Sequence, residues 1–156
     1  MINQKIINKF SVNILLILIS FSATFLFAQD ADSLMARGKL TVIIKGFESH
    51  EGNCRFALDN SKEVYEREDS VWIGKVLPIQ NEEVVVTIDS LQYGEYAVRV
   101  YQDKNKNAEL DTDILGIPTE NYGFSNNASG WFGQPSWDKA KFIFNKPEMA
   151  LEIKID

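Results

Sequence analysis

Between residues 103 and 113 the chain reads Asp-Lys-Asn-Lys-Asn-Ala-Glu-Leu-Asp-Thr-Asp, so oxygen-bearing side chains recur at every second position. Calcium takes about six to eight hard oxygen donors, and a chain wrapping round the ion presents alternate side chains with an occasional carbonyl. Asp103, Asn105 and Asn107 fit the first, third and fifth positions of such a loop. Glu109 offers its carbonyl at the seventh and Asp111 stands at the ninth. Two positions depart from the helix-flanked calcium loop: the sixth, usually glycine, is Ala108, and the twelfth, usually a bidentate glutamate, is Ile114. Asp113, or Glu120 returning from the next segment, would complete the shell. The expectation is calcium at an affinity on the order of 0.1–1 mM, as in extracellular modules. The competing reading is a polar connection whose asparagines form turns. Against it, the five acidic residues from Asp103 to Glu120 are offset only by Lys104 and Lys106.

A second group of candidates is aromatic. In Gly130-Trp131-Phe132-Gly133-Gln134-Pro135-Ser136-Trp137, three large rings sit in a turn-rich segment. Trp131, Phe132 and Trp137 could stack on a sugar ring or on a partner's side chains. The favoured alternative is that at least two of them fold inward to cap the end of the domain.

Catalytic chemistry finds little support. His50, the single histidine, falls in an expected hairpin turn beside Glu48 and Glu51, and Cys54, the single cysteine, faces inward on the strand that follows. There is no His-Glu-x-x-His, no Cys-x-x-Cys and no glycine-rich phosphate loop. Asp111, Asp113 and Glu120 raise glycan hydrolysis, but that reaction needs carboxylates about 5–9.5 Å apart across a sugar cleft. It stands as an unfavoured alternative to a non-enzymatic protein.

The elements that must position these residues read as short strands. Leu40, Val42 and Ile44 alternate with polar or outward neighbours, as do Cys54, Phe56 and Leu58, then Val84, Val86 and Ile88, and Tyr96, Val98 and Val100. A strand from Val71 to Leu77 is expected to stop at Pro78, and the last two carry Phe142 with Phe144, and Leu151, Ile153 and Ile155. Residues 61–69 suit a short helical turn or a solvated excursion between strands. In Leu91-Gln92-Tyr93-Gly94-Glu95-Tyr96, Gly94 permits a tight turn and Tyr96 can return its hydroxyl to nearby backbone, as in the tyrosine corner of Greek-key sandwiches. Seven strands with turn chemistry between them predict an all-β fold, a single antiparallel sandwich. The segment from Leu115 to Asn127, rich in glycine, proline and asparagine, is expected to be a shaped loop.

Lys5 and Lys9 precede an apolar run from Ile14 to Phe27, the pattern of a secretory signal peptide, with cleavage expected after Ala28. The run is short for a membrane span, which takes about 20 residues, so no transmembrane segment is expected after cleavage. The organisation is then a signal peptide over 1–28, a polar lead-in over 29–38 and one domain over 39–156. A single cysteine allows no internal disulfide. Residues 1–28 carry two lysines and no acid, leaving 14 basic and 22 acidic side chains, a formal −8. That balance argues against nucleic acid or anionic lipid as partner.

The order Gly94-x-Tyr96, Asp103 to Asn107, Gly116-Ile117-Pro118 with Glu120, and Gly123-Phe124-Ser125 resembles a family of bacterial exported domains, number 2141 among the domains of unknown function. The resemblance runs from about Leu40 to Ile155, with Ala108 replacing the family's glycine. It implies a transthyretin-like or immunoglobulin-like sandwich and export, and no particular activity. The reading is therefore a periplasmic, cell-surface or secreted β-sandwich whose calcium-stiffened loop positions a surface for a glycan or envelope protein. The alternative is a structural or assembly module of the cell envelope whose contacts are made by edge strands or termini.

Overall fold

Alternation of buried and outward residues sets the long strands in the computed structural model, which describes residues 36–67, 69–131 and 133–156. The expected signal segment 1–28, the lead-in through residue 35 and Phe132 lie outside the described residues. Strand β1 (Arg37–Lys45) buries Leu40, Val42 and Ile44 completely. It lies between β4 (Glu83–Gln92) and β8 (Glu148–Lys154) in a three-stranded sheet. The second sheet runs β3 (Ile73–Pro78), β2 (Asn53–Asp59), β5 (Gly94–Asp103), β6 (Tyr122–Phe124), and β7 (Phe142–Phe144) also pairs with β5. The core between them collects Cys54, Phe56 and Leu58 from β2, Tyr96, Val98 and Val100 from β5, and Phe144 and Ile153 from the last strands. Among the described residues no helix is long and apolar enough to cross a membrane.

The all-β sandwich matches the expected class, with four differences in detail. β1 and β8 pair in parallel, Leu40 opposite Met149 and Ile44 opposite Ile153. Parallel neighbours need a long crossover, and the intervening chain supplies one. The described residues form eight strands, because Tyr122–Phe124, expected within a loop, forms β6 and pairs Arg99 with Phe124 and Tyr101 with Tyr122. β3 starts at Ile73 rather than Val71, since Trp72 turns to stack on Tyr96 at 5.6 Å and 25°. The Tyr96 hydroxyl donates to the Gln92 carbonyl at 2.8 Å, the geometry of a tyrosine corner.

The fourth difference matters most for the site: the outer face of the five-stranded sheet is not simply solvated. A helical turn α1 (Lys62–Tyr65), capped by Ser61, whose hydroxyl accepts from the Val64 N–H, and a second turn α2 (Trp137–Ala140) contribute to a second small core. Tyr65, Ala97, Phe124, Trp137 and Ala140 meet there. Ser125 is buried in the 3-10 turn that follows β6, accepting from the Val98 N–H at 2.8 Å and donating to the Ala140 carbonyl at 2.6 Å. It thereby ties α2 to the sheet.

Candidate functional site

The acidic loop leaves the end of β5 at Asp103, which is fully buried. One carboxylate oxygen accepts the Asn107 N–H at 3.1 Å; the other accepts the Ala108 N–H at 3.1 Å and the Arg55 Nε–H. Burial works against ionisation, but the Arg55 guanidinium and the two backbone N–H groups outweigh it and hold this carboxyl below its usual range. Asn105 and Asn107 form Asx turns, their carbonyl oxygens accepting the N–H groups of Asn107 at 3.0 Å and Glu109 at 2.8 Å. Their amide nitrogens donate to Asp111 at 2.6 and 2.9 Å. Glu120 closes the loop from the far side, accepting the Lys104 N–H at 2.7 Å and the Asp111 N–H at 3.1 Å. Ala108 holds a left-handed φ of 75°, and its carbonyl accepts the Tyr101 hydroxyl at 2.8 Å.

Five of the seven residues marked from sequence therefore come together: Asp103, Asn105, Asn107, Asp111 and Glu120 form one hydrogen-bonded unit. Their oxygens face N–H donors, and among the described residues no three or more His, Cys, Asp and Glu side chains are grouped as a metal set. Glu109 is exposed. Asp113 is spent farther out, where one of its oxygens accepts the N–H groups of Leu115 and Ile117 at 2.8 and 2.9 Å. Asp103 and Glu120 are buried, while the side chains of Asn105, Asn107 and Asp111 are bonded to one another and, through the two asparagines, to the loop backbone.

The base of this loop belongs to a second feature that sequence reasoning missed. On the outer face of β2 and β5, Arg55 lies opposite Tyr101 and Ala57 opposite Arg99. Arg99 donates through Nε to the buried Asp59 at 2.8 Å and through a terminal nitrogen to the Ser70 carbonyl at 2.6 Å, and its guanidinium lies 5.6 Å from the Tyr65 ring centre. Arg55 makes the corresponding pair with Asp103 at the other end of the face. Between the two pairs stands Ala57, which has no bulk to fill the space above it. A cavity of about 280 Å³ opens there, walled by Tyr101, Leu110, Tyr122 and Phe124, with Val71 and Gln134 among the other lining residues. Leu110 comes from the acidic loop, so loop and cavity share a wall.

A sequence signal for this face did exist. Ala57, Asp59, Ala97 and Arg99 occupy its outward positions, whereas a solvated face carries a run of lysine, glutamate and threonine. Small residues and matched charges in mid-strand indicate a cover.

The aromatic group divides. Trp131 is 90% exposed, while Trp137 is not available as a ligand surface: it is buried in the second core with its ring edge-on to Tyr65 at 5.7 Å. The apolar side of α2 is turned onto β5, which takes Trp137 with it. His50 is exposed in the turn between β1 and β2. Cys54 is buried in the main core, where burial pushes its thiol up to about 12.

A family model described as an uncharacterised protein conserved in bacteria (DUF2141) matches residues 42–152. No curated protein and no solved structure matches.

Proposed function

We propose, since the chain belongs to the DUF2141 family of bacterial proteins, that it is an exported, non-catalytic binding module whose ligand site is the cavity over Ala57. The observation that carries this reading is the cavity itself: about 280 Å³, with aromatic and aliphatic walls and two guanidiniums whose positions are fixed by buried carboxylates. Preorganised polar groups in an apolar hollow are what a selective small site requires. The apolar run at Ile14–Phe27 behind Lys5 and Lys9 supports export. The inert Cys54 thiol and the exposed His50, on separate parts of β2 and its turn, support a role without nucleophilic catalysis.

This reading moves the recognition surface from Trp131 to the cavity and keeps the acidic loop as its neighbour. A fragment screen on the purified protein, read by amide NMR shifts, tests it. Saturable shifts at Ala57, Tyr101 and Tyr122 that vanish in Ala57→Leu are expected. Shifts confined to other parts of the surface would end the proposal.

Calcium is a second reading, favoured by one observation: the sixth loop position holds the left-handed backbone that calcium loops require there. The ion would be taken by Asp111, Asn105 and Asn107 with the Glu109 carbonyl, and would stiffen the wall that bears Leu110. Calorimetry should give saturable heat at millimolar calcium that Asp111→Asn removes. A flat isotherm from folded protein would dismiss the ion.

A further inference from the structure

We infer that the cavity over Ala57 takes an organic carboxylate, with the acid group on Arg55 and an apolar body against Tyr101, Tyr122 and Phe124. This rests on the cavity reading above and adds the chemical class of its ligand.

The two guanidiniums are not equivalent. Arg99 is matched one to one by Asp59, whose second oxygen has no other partner among the described residues. A terminal nitrogen of Arg99 is also taken by the Ser70 carbonyl. If Arg99 turned to a ligand, a fully buried carboxylate would be left unpaired, which is strongly unfavourable. Arg55 is placed differently. Its partner Asp103 is already held by the N–H groups of Asn107 and Ala108, and among the described residues Arg55 donates through Nε alone. Its two terminal nitrogens remain, in the planar geometry that meets two carboxylate oxygens at once. The side chain is about a quarter exposed, 26%, so a ligand can reach it while solvent screening stays limited.

The rest of the cavity selects the body. Tyr122 and Phe124 stand edge to face at 5.8 Å, Leu110 and Val71 are aliphatic, and Ala57 leaves the middle open. A fully polar ligand would lose water there without replacement partners. A single negative charge fits better than a phosphate, because the chain's formal excess of acids repels a dianion and only one guanidinium is disposable. A free acid and the C-terminus of a peptide with an apolar last residue share this chemistry.

The test titrates the protein with phenylacetate and phenylacetamide, and with N-acetyl-alanyl-phenylalanine and its C-terminal amide, following amide NMR shifts. The expected result is saturation by at least one acid in the millimolar range, with its amide weaker by about tenfold or more. Whichever acid binds tells free ligand from peptide end. Arg55→Lys, which keeps the charge and loses the fork, should weaken the acid by about tenfold. Ala57→Leu, which removes no partner from either ion pair, should abolish binding while the protein stays folded. Equal binding of acid and amide, or no effect of Arg55→Lys, overturns the carboxylate while leaving the cavity as a binding site. Absence of saturable shifts from all four compounds overturns the carboxylate as well, and if the fragment screen also finds nothing at Ala57 the cavity reading falls with it.

Discussion

The two faces of β5 are built from one strand and do opposite work. Inward, Tyr96, Val98 and Val100 join the apolar core between the sheets. Outward, Ala97, Arg99, Tyr101 and Asp103 carry ion pairs, a small core and a cavity. The inner face is held by area and packing, which tolerate approximate fit. The outer face is held by directed bonds to buried charges, and each depends on its partner. The lesson is that a period of two identifies faces but not covers. The face opposite a core is solvent only if no other segment returns to it.

The sharpest way to break this comparison is to remove one side chain from each face. Phe144→Ala should cost about 3–5 kcal/mol as a core cavity, and Arg99→Ala should cost about the same by stranding Asp59, both read from urea unfolding. Were the outer face an ordinary surface, Arg99→Ala would change stability by less than about 0.5 kcal/mol. A smaller effect follows from pH. The folded carboxyl of Asp103 lies below its unfolded value, so its contribution is present above the unfolded value near pH 3.9 and is lost as pH falls through the folded one. Urea midpoints measured across the acid range should therefore depend on pH more weakly in Asp103→Asn than in the parent. Ala108→Gly relieves a left-handed alanine and should stabilise by up to about 1 kcal/mol. A loss of stability there would mean that the alanine methyl packs usefully. Least affected should be Leu115→Ser, at a loop tip where Ile114 and Leu115 are exposed, with a change within about 0.5 kcal/mol.

Much of the inner architecture was legible in advance. Alternation located the core residues of β1, β2, β4 and β5, and the Gly94-x-Tyr96 turn located the tyrosine corner. The acidic loop was marked as a unit, and Glu120 does return to it, bonding the N–H groups beside Asp103 and at Asp111. The sequence pattern was silent where elements are too short to show a period. β6 has three residues with glycine at its centre, and α1 and α2 have four residues each. β6 extends the sheet and the two helical turns cover its outer face, so neither the last strand of that sheet nor its cover had a period to be read. The loop's chemistry was ambiguous for a different reason. Asparagine and aspartate serve equally as calcium donors and as acceptors for their own backbone, and only geometry tells which use is made.

The parallel ladder of β1 with β8 joins the first described strand to the last and makes β1 the middle of its sheet. A chain emerging from its amino end cannot finish that sheet until residues 148–154 are available. Until then β1 has one open edge, and the contact that closes it spans about a hundred residues of intervening chain. Contacts so distant in sequence form slowly. The order of assembly is thus written into the strand order, and this sheet closes only once residues 148–154 have reached β1.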